Sequence, residues 1–170
     1  MNEHEEIERR YIVKMIDPDI MSGPGTKIWQ AYNPNRDGQR VRIAKPENQW
    51  PYSEITTKTG TGLKRIETNA GINLASAAAR FLWWPFKIQK TRYRRKGWEI
   101  DFFGGPLRGL VIAEFEMAAP DQRIQQPAWI YYMTEVTDTI DSHMLARISA
   151  DPTRIDRSIP IYDWVLSQAK

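Results

Sequence analysis

The chain has 170 residues, with 24 Lys and Arg against 21 Asp and Glu, a formal net charge of +3 and 41% hydrophobic residues, which suits a single soluble domain able to bury a sizeable core. It contains no cysteine, which excludes a disulfide framework and a thiolate metal centre. No apolar run approaches the roughly 18 residues of a membrane span, and the acidic, polar start Met1-Asn2-Glu3-His4-Glu5 is unlike a secretion signal, so a cytoplasmic protein with no membrane partner is expected.

Taken in chain order, the pattern predicts strands in the first third, a helix, more strands, and helices at the end, an α+β arrangement. The first strand is Glu6-Ile7-Glu8-Arg9-Arg10-Tyr11-Ile12-Val13. Asp17-Pro18-Asp19 and Gly23-Pro24-Gly25 punctuate the route to a second strand, and residues 33–38 read as the turn into a strand carrying Arg40. Gly60-Thr61-Gly62 suggests another turn. Asn73 is the expected N-cap of a helix through Leu74, Ala78, Phe81 and Leu82, stopped by Pro85. Gly104-Gly105-Pro106 separates strands holding Asp101 and Glu114. Asp138 is the expected cap of a helix carrying Ile140, Met144, Leu145 and Ile148, and Ile161, Trp164 and Val165 mark a short C-terminal helix.

Side chains alternate across a strand, so Glu6, Glu8 and Arg10 share one face while Ile7 lies on the other. The same spacing returns at Arg40 and Arg42, Thr56 and Lys58, Arg65 and Glu67, Lys90 and Arg92, Glu99 and Asp101, and Glu114 and Glu116. One such pair is an ordinary solvated face. Seven, carrying both signs, are expected if the strands close into a barrel with the charges inward, leaving Ile7, Val41, Ile66, Ile100 and Phe115 as an outer apolar surface for helices to cover. An open sheet with its charges to solvent uses the same alternation.

These segments, in this order, resemble the CYTH domains, or triphosphate tunnel metalloenzymes, over most of the chain. The family's opening Glu-x-Glu-x-Lys is matched by Glu6, Glu8 and Arg10, its Ile-x-Gln-x-Tyr strand by Ile28, Gln30 and Tyr32, and its Arg-x-Arg strand by Arg40 and Arg42. Thr56 and Lys58, Arg65 and Glu67, then Lys90, Arg92 and Tyr93 follow in sequence. Trp98 and Asp101, Gly109 through Glu114 and Glu116, and Glu135-Val136-Thr137 complete the series. The resemblance implies one domain over residues 1–170, a closed antiparallel eight-stranded β-barrel with a charged lumen and helices packed outside.

It also implies a metal-dependent hydrolysis of the terminal phosphate of a triphosphate. Inorganic tripolyphosphate is the leading substrate, with nucleoside and thiamine triphosphates as further candidates. Arg10, Arg40, Arg42, Lys58, Arg65, Lys90 and Arg92 would bind the substrate, arginine gripping two oxygens at once. Glu6, Glu8, Asp101, Glu114 and Glu116 would hold Mg2+ or Mn2+, which favour hard oxygen ligands; only His4 and His143 are available to a softer ion, and each is expected to be structural or solvated. Phosphoryl transfer asks the protein mainly to position phosphate, neutralise developing charge and present water in line.

Two departures bear on mechanism. Arg10 stands where the family has lysine, and a guanidinium stays protonated, so it can hold phosphate but not act as a base; metal-bound water or a carboxylate such as Glu67 would take that role. Asn69 stands where a second acid is common, and the interval from Trp129 to Glu135 is longer than usual. Arg10 and Asn69 keep a non-catalytic nucleotide- or polyphosphate-binding module in play beside the hydrolase, and family relatives that cyclise ATP supply a further alternative. A homodimer is compatible with either reading. The basic run Lys87 to Lys96, interleaved with Tyr93, is the one feature suggesting nucleic acid, but a phosphate-lined tunnel requires the same cluster, so a nucleic-acid partner is not expected.

Overall fold

The computed structural model describes residues 2–60 and 64–168, with side chains described for all of these but Asn2 and Lys64. Nine strands and three α-helices are found among them: β1 (Asn2–Ile16), β2 (Thr26–Tyr32), β3 (Gln39–Pro46), β4 (Tyr52–Thr59), β5 (Lys64–Gly71), α1 (Leu74–Trp83), β6 (Phe86–Arg95), β7 (Trp98–Phe103), β8 (Val111–Glu116), β9 (Ile130–Glu135), α2 (Ser142–Ala150) and α3 (Ile161–Ser167). Each ladder is antiparallel, in the order β5-β4-β3-β2-β6-β7-β8-β1, and a β1–β5 ladder closes the ring into an eight-stranded barrel. The expected turn at 60–62 falls largely outside the described residues.

Closure depends on the length of β1. Its first half pairs with β5 (Asn2↔Asn69 to Ile7↔Lys64), and residues 8–12 pair with β8. The end of the strand turns to β9, from Tyr11↔Glu135 to Ile16↔Ile130, with register shifts at Met15 that let it bend away from the ring. A ninth strand therefore extends the sheet beyond the expected eight without entering the ring.

The inward positions carry charge only over part of the barrel's length. Ile12 continues the face of Glu6, Glu8 and Arg10, and with Ile88, Phe103 and Ile112 it turns one end of the interior apolar. That end packs against Leu145 and Ala146 of α2 and Ile161, Trp164 and Val165 of α3, forming the largest core cluster. The apolar stripes of these two helices thus cover a barrel end. On the outer surface, α1 covers Ala31 and Val41 through Ala77. Ile100 and Trp98, with Phe115 beside them, are covered by Ile20 of a single 3-10 turn (Pro18–Ser22), by Trp129 in a turn and by Ile130 of β9, where α-helices were expected. Ile66, expected beneath a helix, is 46% exposed.

Asn73 caps α1, its side chain accepting from Ser76 N over 2.8 Å. The cap of α2 is Asp141, which accepts from Met144 N over 2.6 Å, and not Asp138. The correction follows from the backbone: the amides of Thr139 and Ile140 both bond back to Val136 O, so 136–140 forms a separate turn and the helix starts one turn later.

Candidate active site: a charge-lined barrel lumen

The ladder register brings the alternating charges face to face. Arg10 lies opposite Glu114, Glu8 opposite Glu116, and Glu6 opposite Arg65. Across the other ladders, Lys58 meets Glu67, Arg42 meets Glu54, and Arg92 meets Asp101. Arg10, Arg40, Glu67, Lys90, Arg92, Asp101 and Glu114 are all buried. Burying this much charge is tolerable only because each group finds a partner of opposite sign.

Two cavities that share Arg40 are lined by these charges. The larger, about 760 Å³, is walled by Arg10, Tyr32, Arg40, Lys58 and Arg65, with Asp37, Asp141 and His143 at its rim. The other, about 460 Å³, holds Glu6, Glu8, Glu114 and Glu116 together with Arg42, Glu67 and Arg92, and opens past Arg94, Arg95 and Lys96 of the β6–β7 hairpin. The two cavities differ in their acids: the larger sets Arg10, Arg40, Lys58 and Arg65 against aspartates alone, Asp37, Asp138 and Asp141, whereas the other gathers Glu6, Glu8, Glu67, Glu99, Glu114 and Glu116 among an equal number of cations.

Arg10 has every guanidinium nitrogen engaged. Nε donates to Glu114 Oε1 over 2.8 Å, Nη1 to the carbonyl oxygen of Ile140 over 2.9 Å, and Nη2 to Glu8 Oε1 over 2.9 Å. Its own backbone N–H donates to Thr137 Oγ1, and its carbonyl accepts from Val136 N. Burial alone would lower the Arg10 pKa, but Glu114 and Glu8 outweigh it and hold the group firmly cationic.

Glu67 lies between Lys58, 2.8 Å away, and Arg40, 3.4 Å away. Asn69, in the place of the family's second acid, donates to Glu67 Oε1 over 2.8 Å and accepts from Thr56 Oγ1 over 2.7 Å, so it orients the carboxylate. Burial pushes the Glu67 pKa up, yet Arg40 and Lys58 overcome it and bring it to about 2. Lys58 also bonds Glu6, bridging the two acids.

A second knot surrounds Asp101. Arg92 grips it bidentately, Nε to Oδ1 and Nη2 to Oδ2, both 2.6 Å, and Lys90 adds a 2.5 Å contact to Oδ2. Arg92 also bonds Glu114 Oε2 over 2.8 Å and Glu99. Burial lowers the Lys90 pKa to about 8 despite Asp101, whereas Asp101 and Glu114 are held below the usual carboxylate range because their cations outweigh burial. Glu8 moves the other way: burial, then Glu114, raises it against Arg10.

The expected site residues thus share one lumen but not one environment. Glu6, Glu8, Glu114 and Glu116 line a single cavity; Asp101 is fully buried behind Arg92 and Lys90 and is not on that wall. Among the described residues no three acidic or imidazole groups converge on one ion position. Glu135 lies opposite Tyr11, on the outer face, and pairs with Arg9 at 3.3 Å. Four residues absent from the expected set take part: Glu54 bonds Arg42 over 2.8 Å, Glu99 holds Arg92 and Arg94, Thr137 anchors Arg10, and His143 stacks on Tyr32. Glu99 shares Asp101's strand face and Glu54 that of Thr56 and Lys58, so both were discoverable from spacing; Thr137 and His143 come from distant segments. Of the basic run 87–96, Lys90 and Arg92 are spent inside the lumen, leaving Arg94, Arg95 and Lys96 at its rim.

A closed antiparallel barrel whose interior is a tunnel of paired charge defines a structural class, and the comparisons give it a family. The chain is 32% identical over 132 residues to an inorganic triphosphatase of Acetivibrio thermocellus, a match covering 74% of this chain and 82% of the relative. A crystal structure of the inorganic triphosphatase NE1496 shares the fold at a TM-score of 0.56 and 22% identity, covering 83% of this chain and 93% of its own. A second structure of NE1496 gives the same TM-score at 24% identity, with 97% of that chain covered. No family model matches. With this relative and this fold, the chain belongs to the CYTH, or triphosphate tunnel metalloenzyme, family. No described helix is long and apolar enough to cross a membrane.

Proposed function

We propose that the lumen binds inorganic tripolyphosphate and promotes hydrolysis of its terminal phosphoryl group. The observation that carries this reading is the meeting of cations and carboxylates in connected space: Arg10, Arg40, Lys58 and Arg65 line one cavity, continuous through Arg40 with a second that holds Glu6, Glu8, Glu114 and Glu116 among Arg42 and Arg92. A short polyanion can lie along the first with its end against the second. The name of the Acetivibrio thermocellus relative supports the same substrate class.

Magnesium or manganese fits the donors on that carboxylate wall, which are hard oxygens. Mg2+ is held by one or two carboxylates while substrate phosphates and waters fill its other positions, a requirement that does not need three converging acids. Glu8 and Glu116, opposite each other in the β1–β8 ladder, with Glu6 on the same wall, are the residues that would hold it. When bound, such an ion supplies charge neutralisation at the phosphoryl oxygens and a more acidic water.

The chain's own residues do the positioning. Arg40, Arg42, Lys58 and Arg65 hold phosphate oxygens and keep the substrate in line, the main contribution a protein makes to phosphoryl transfer. Arg10 and Arg92 fix Glu8 and Glu114 against the wall. Glu67, with its pKa near 2, is a poor proton acceptor and serves to anchor Lys58 and Arg40. A panel of tripolyphosphate, ATP and thiamine triphosphate at equal magnesium tests the substrate assignment. The highest kcat/KM is expected for tripolyphosphate; a preference for ATP with cyclic AMP as product, or for thiamine triphosphate, would replace it.

A further inference from the structure

Helix α1 departs from the usual pattern of a surface helix. Its packed side is apolar, with Ala77 buried and Phe81 set against the outer barrel residues Ala31 and Val41. Its solvent side is apolar as well: Leu74, Ala75, Ala78, Ala79, Leu82 and Trp83 are all exposed, Leu82 at 73% and Trp83 at 84%. These six fall in two adjacent rows of four-residue spacing, 74-78-82 and 75-79-83, and so form one face. A solvated helix carries its charges there. The only charged residue between Glu67 and Lys87 is Arg80, which lies at the flank and donates through Nη1 to the Ser76 carbonyl oxygen over 3.1 Å. Single exposed apolar side chains are ordinary, whereas a contiguous face of them marks an interaction surface.

The face continues beyond the helix. Ile72, two residues before α1, is tied to Ser53: its N–H donates to the Ser53 carbonyl oxygen over 3.2 Å, and its own carbonyl accepts from Ser53 Oγ over 2.7 Å. This places the β3–β4 turn beside the N-terminal end of α1, and that turn carries Trp50, which is 91% exposed.

We propose that this face pairs with the same face of a second copy of the chain, α1 packing antiparallel on α1 about a twofold axis between Ala78 and Ala79. The order of the side chains is its own complement when reversed. Leu74 meets Trp83 of the second copy and Ala75 meets Leu82 of the second copy, large against smaller, while alanines occupy the crossing and let the two backbones come close. The charge on this face identifies the occupant. Nucleic acid and anionic lipid are drawn by clustered lysine and arginine, and α1 offers one flanking arginine whose Nη1 is already bonded. Area points the same way. A helix of 10 residues is about 15 Å long, short of what an interface of roughly 800 Å² per partner needs. Antiparallel pairing makes up the difference, because it carries each Trp83 to the end of the other helix where Trp50 stands. The interface remains small, so the dimer dissociates on dilution.

The test is sedimentation velocity of the full chain over a range of concentrations, for the wild type, Ala78→Glu and Ala78→Lys. A concentration-dependent dimer is expected for the wild type. Each substitution sets like charges against each other at the axis and should raise the dissociation constant at least about tenfold. The circular dichroism spectra should stay unchanged, because Ala78 is exposed and both new residues are good helix formers. Mixing the two variants in equal amounts should restore the dimer, since glutamate then faces lysine. A wild type that is monomeric at every concentration, a dimer formed alike by all three proteins, or a mixture that stays monomeric would overturn the proposal. A monomer that floats with vesicles of mixed phosphatidylcholine and phosphatidylglycerol would overturn it in favour of a lipid surface.

Discussion

Arg10 is tied to Ile140: its Nη1 donates to the Ile140 carbonyl oxygen over 2.9 Å, joining the first strand of the barrel to the turn that precedes α2. The same guanidinium holds Glu8 and Glu114, so one side chain fastens a barrel end and neutralises two lumen carboxylates. Lysine, with a single nitrogen, cannot reach all three acceptors in this fork geometry.

Removing this side chain should therefore be costly in stability. Arg10→Ala leaves Glu8 and Glu114 buried beside each other with less positive charge, and a loss of about 3–5 kcal/mol is expected. Arg10→Lys keeps the charge but forfeits the Ile140 bond, and about 1–3 kcal/mol is expected. Urea unfolding of the two variants checks the order; a fully stable Arg10→Ala would show that the fork does not hold the turn.

Glu67 predicts an acid-sensitive component of stability. Its folded pKa of about 2 lies below the ordinary value of 4.5, so the unfolded chain takes up a proton first as pH falls. The stabilisation is complete above pH 4.5 and is lost progressively down to about pH 2. Unfolding free energy should decline across that window in the wild type, and less steeply in Glu67→Gln. Parallel curves would indicate that Glu67 titrates alike in the folded and unfolded chains.

Two glutamates on one strand should respond differently to the same change. Glu114 is buried between Arg10 and Arg92, so Glu114→Gln is expected to lower stability as well as turnover. Glu116 is exposed on the wall of the smaller lumen cavity, so Glu116→Gln should leave Tm within about a degree while raising the magnesium concentration needed for half-maximal activity. An unchanged magnesium requirement in Glu116→Gln would remove that residue from the proposed metal wall.

The contrast also marks how far the sequence can be read. Alternation tells which side of a strand a residue occupies, which is why Glu6, Glu8, Arg40, Lys58 and Glu114 were expected in one lumen and are found there. It says nothing of how far along the barrel the charge extends: Ile12 and Ile112 obey the same parity but end the charged zone because α2 and α3 pack on them. Nor does it assign partners. Asp101 and Glu114 look alike as motif acids, yet Arg92 and Lys90 enclose the first while the second lines the cavity. The contacts of Arg10 with Thr137 and Ile140, and of Tyr32 with His143, join residues more than a hundred positions apart, and no local pattern encodes them.

The most direct test of the proposed chemistry is phosphate release from inorganic tripolyphosphate by the purified protein, with magnesium or manganese and with an EDTA control. Release that requires the metal and stops on chelation is expected. No release from tripolyphosphate with either metal, under conditions where the protein is folded, would contradict the assignment and favour a lumen that binds its polyanion without turning it over.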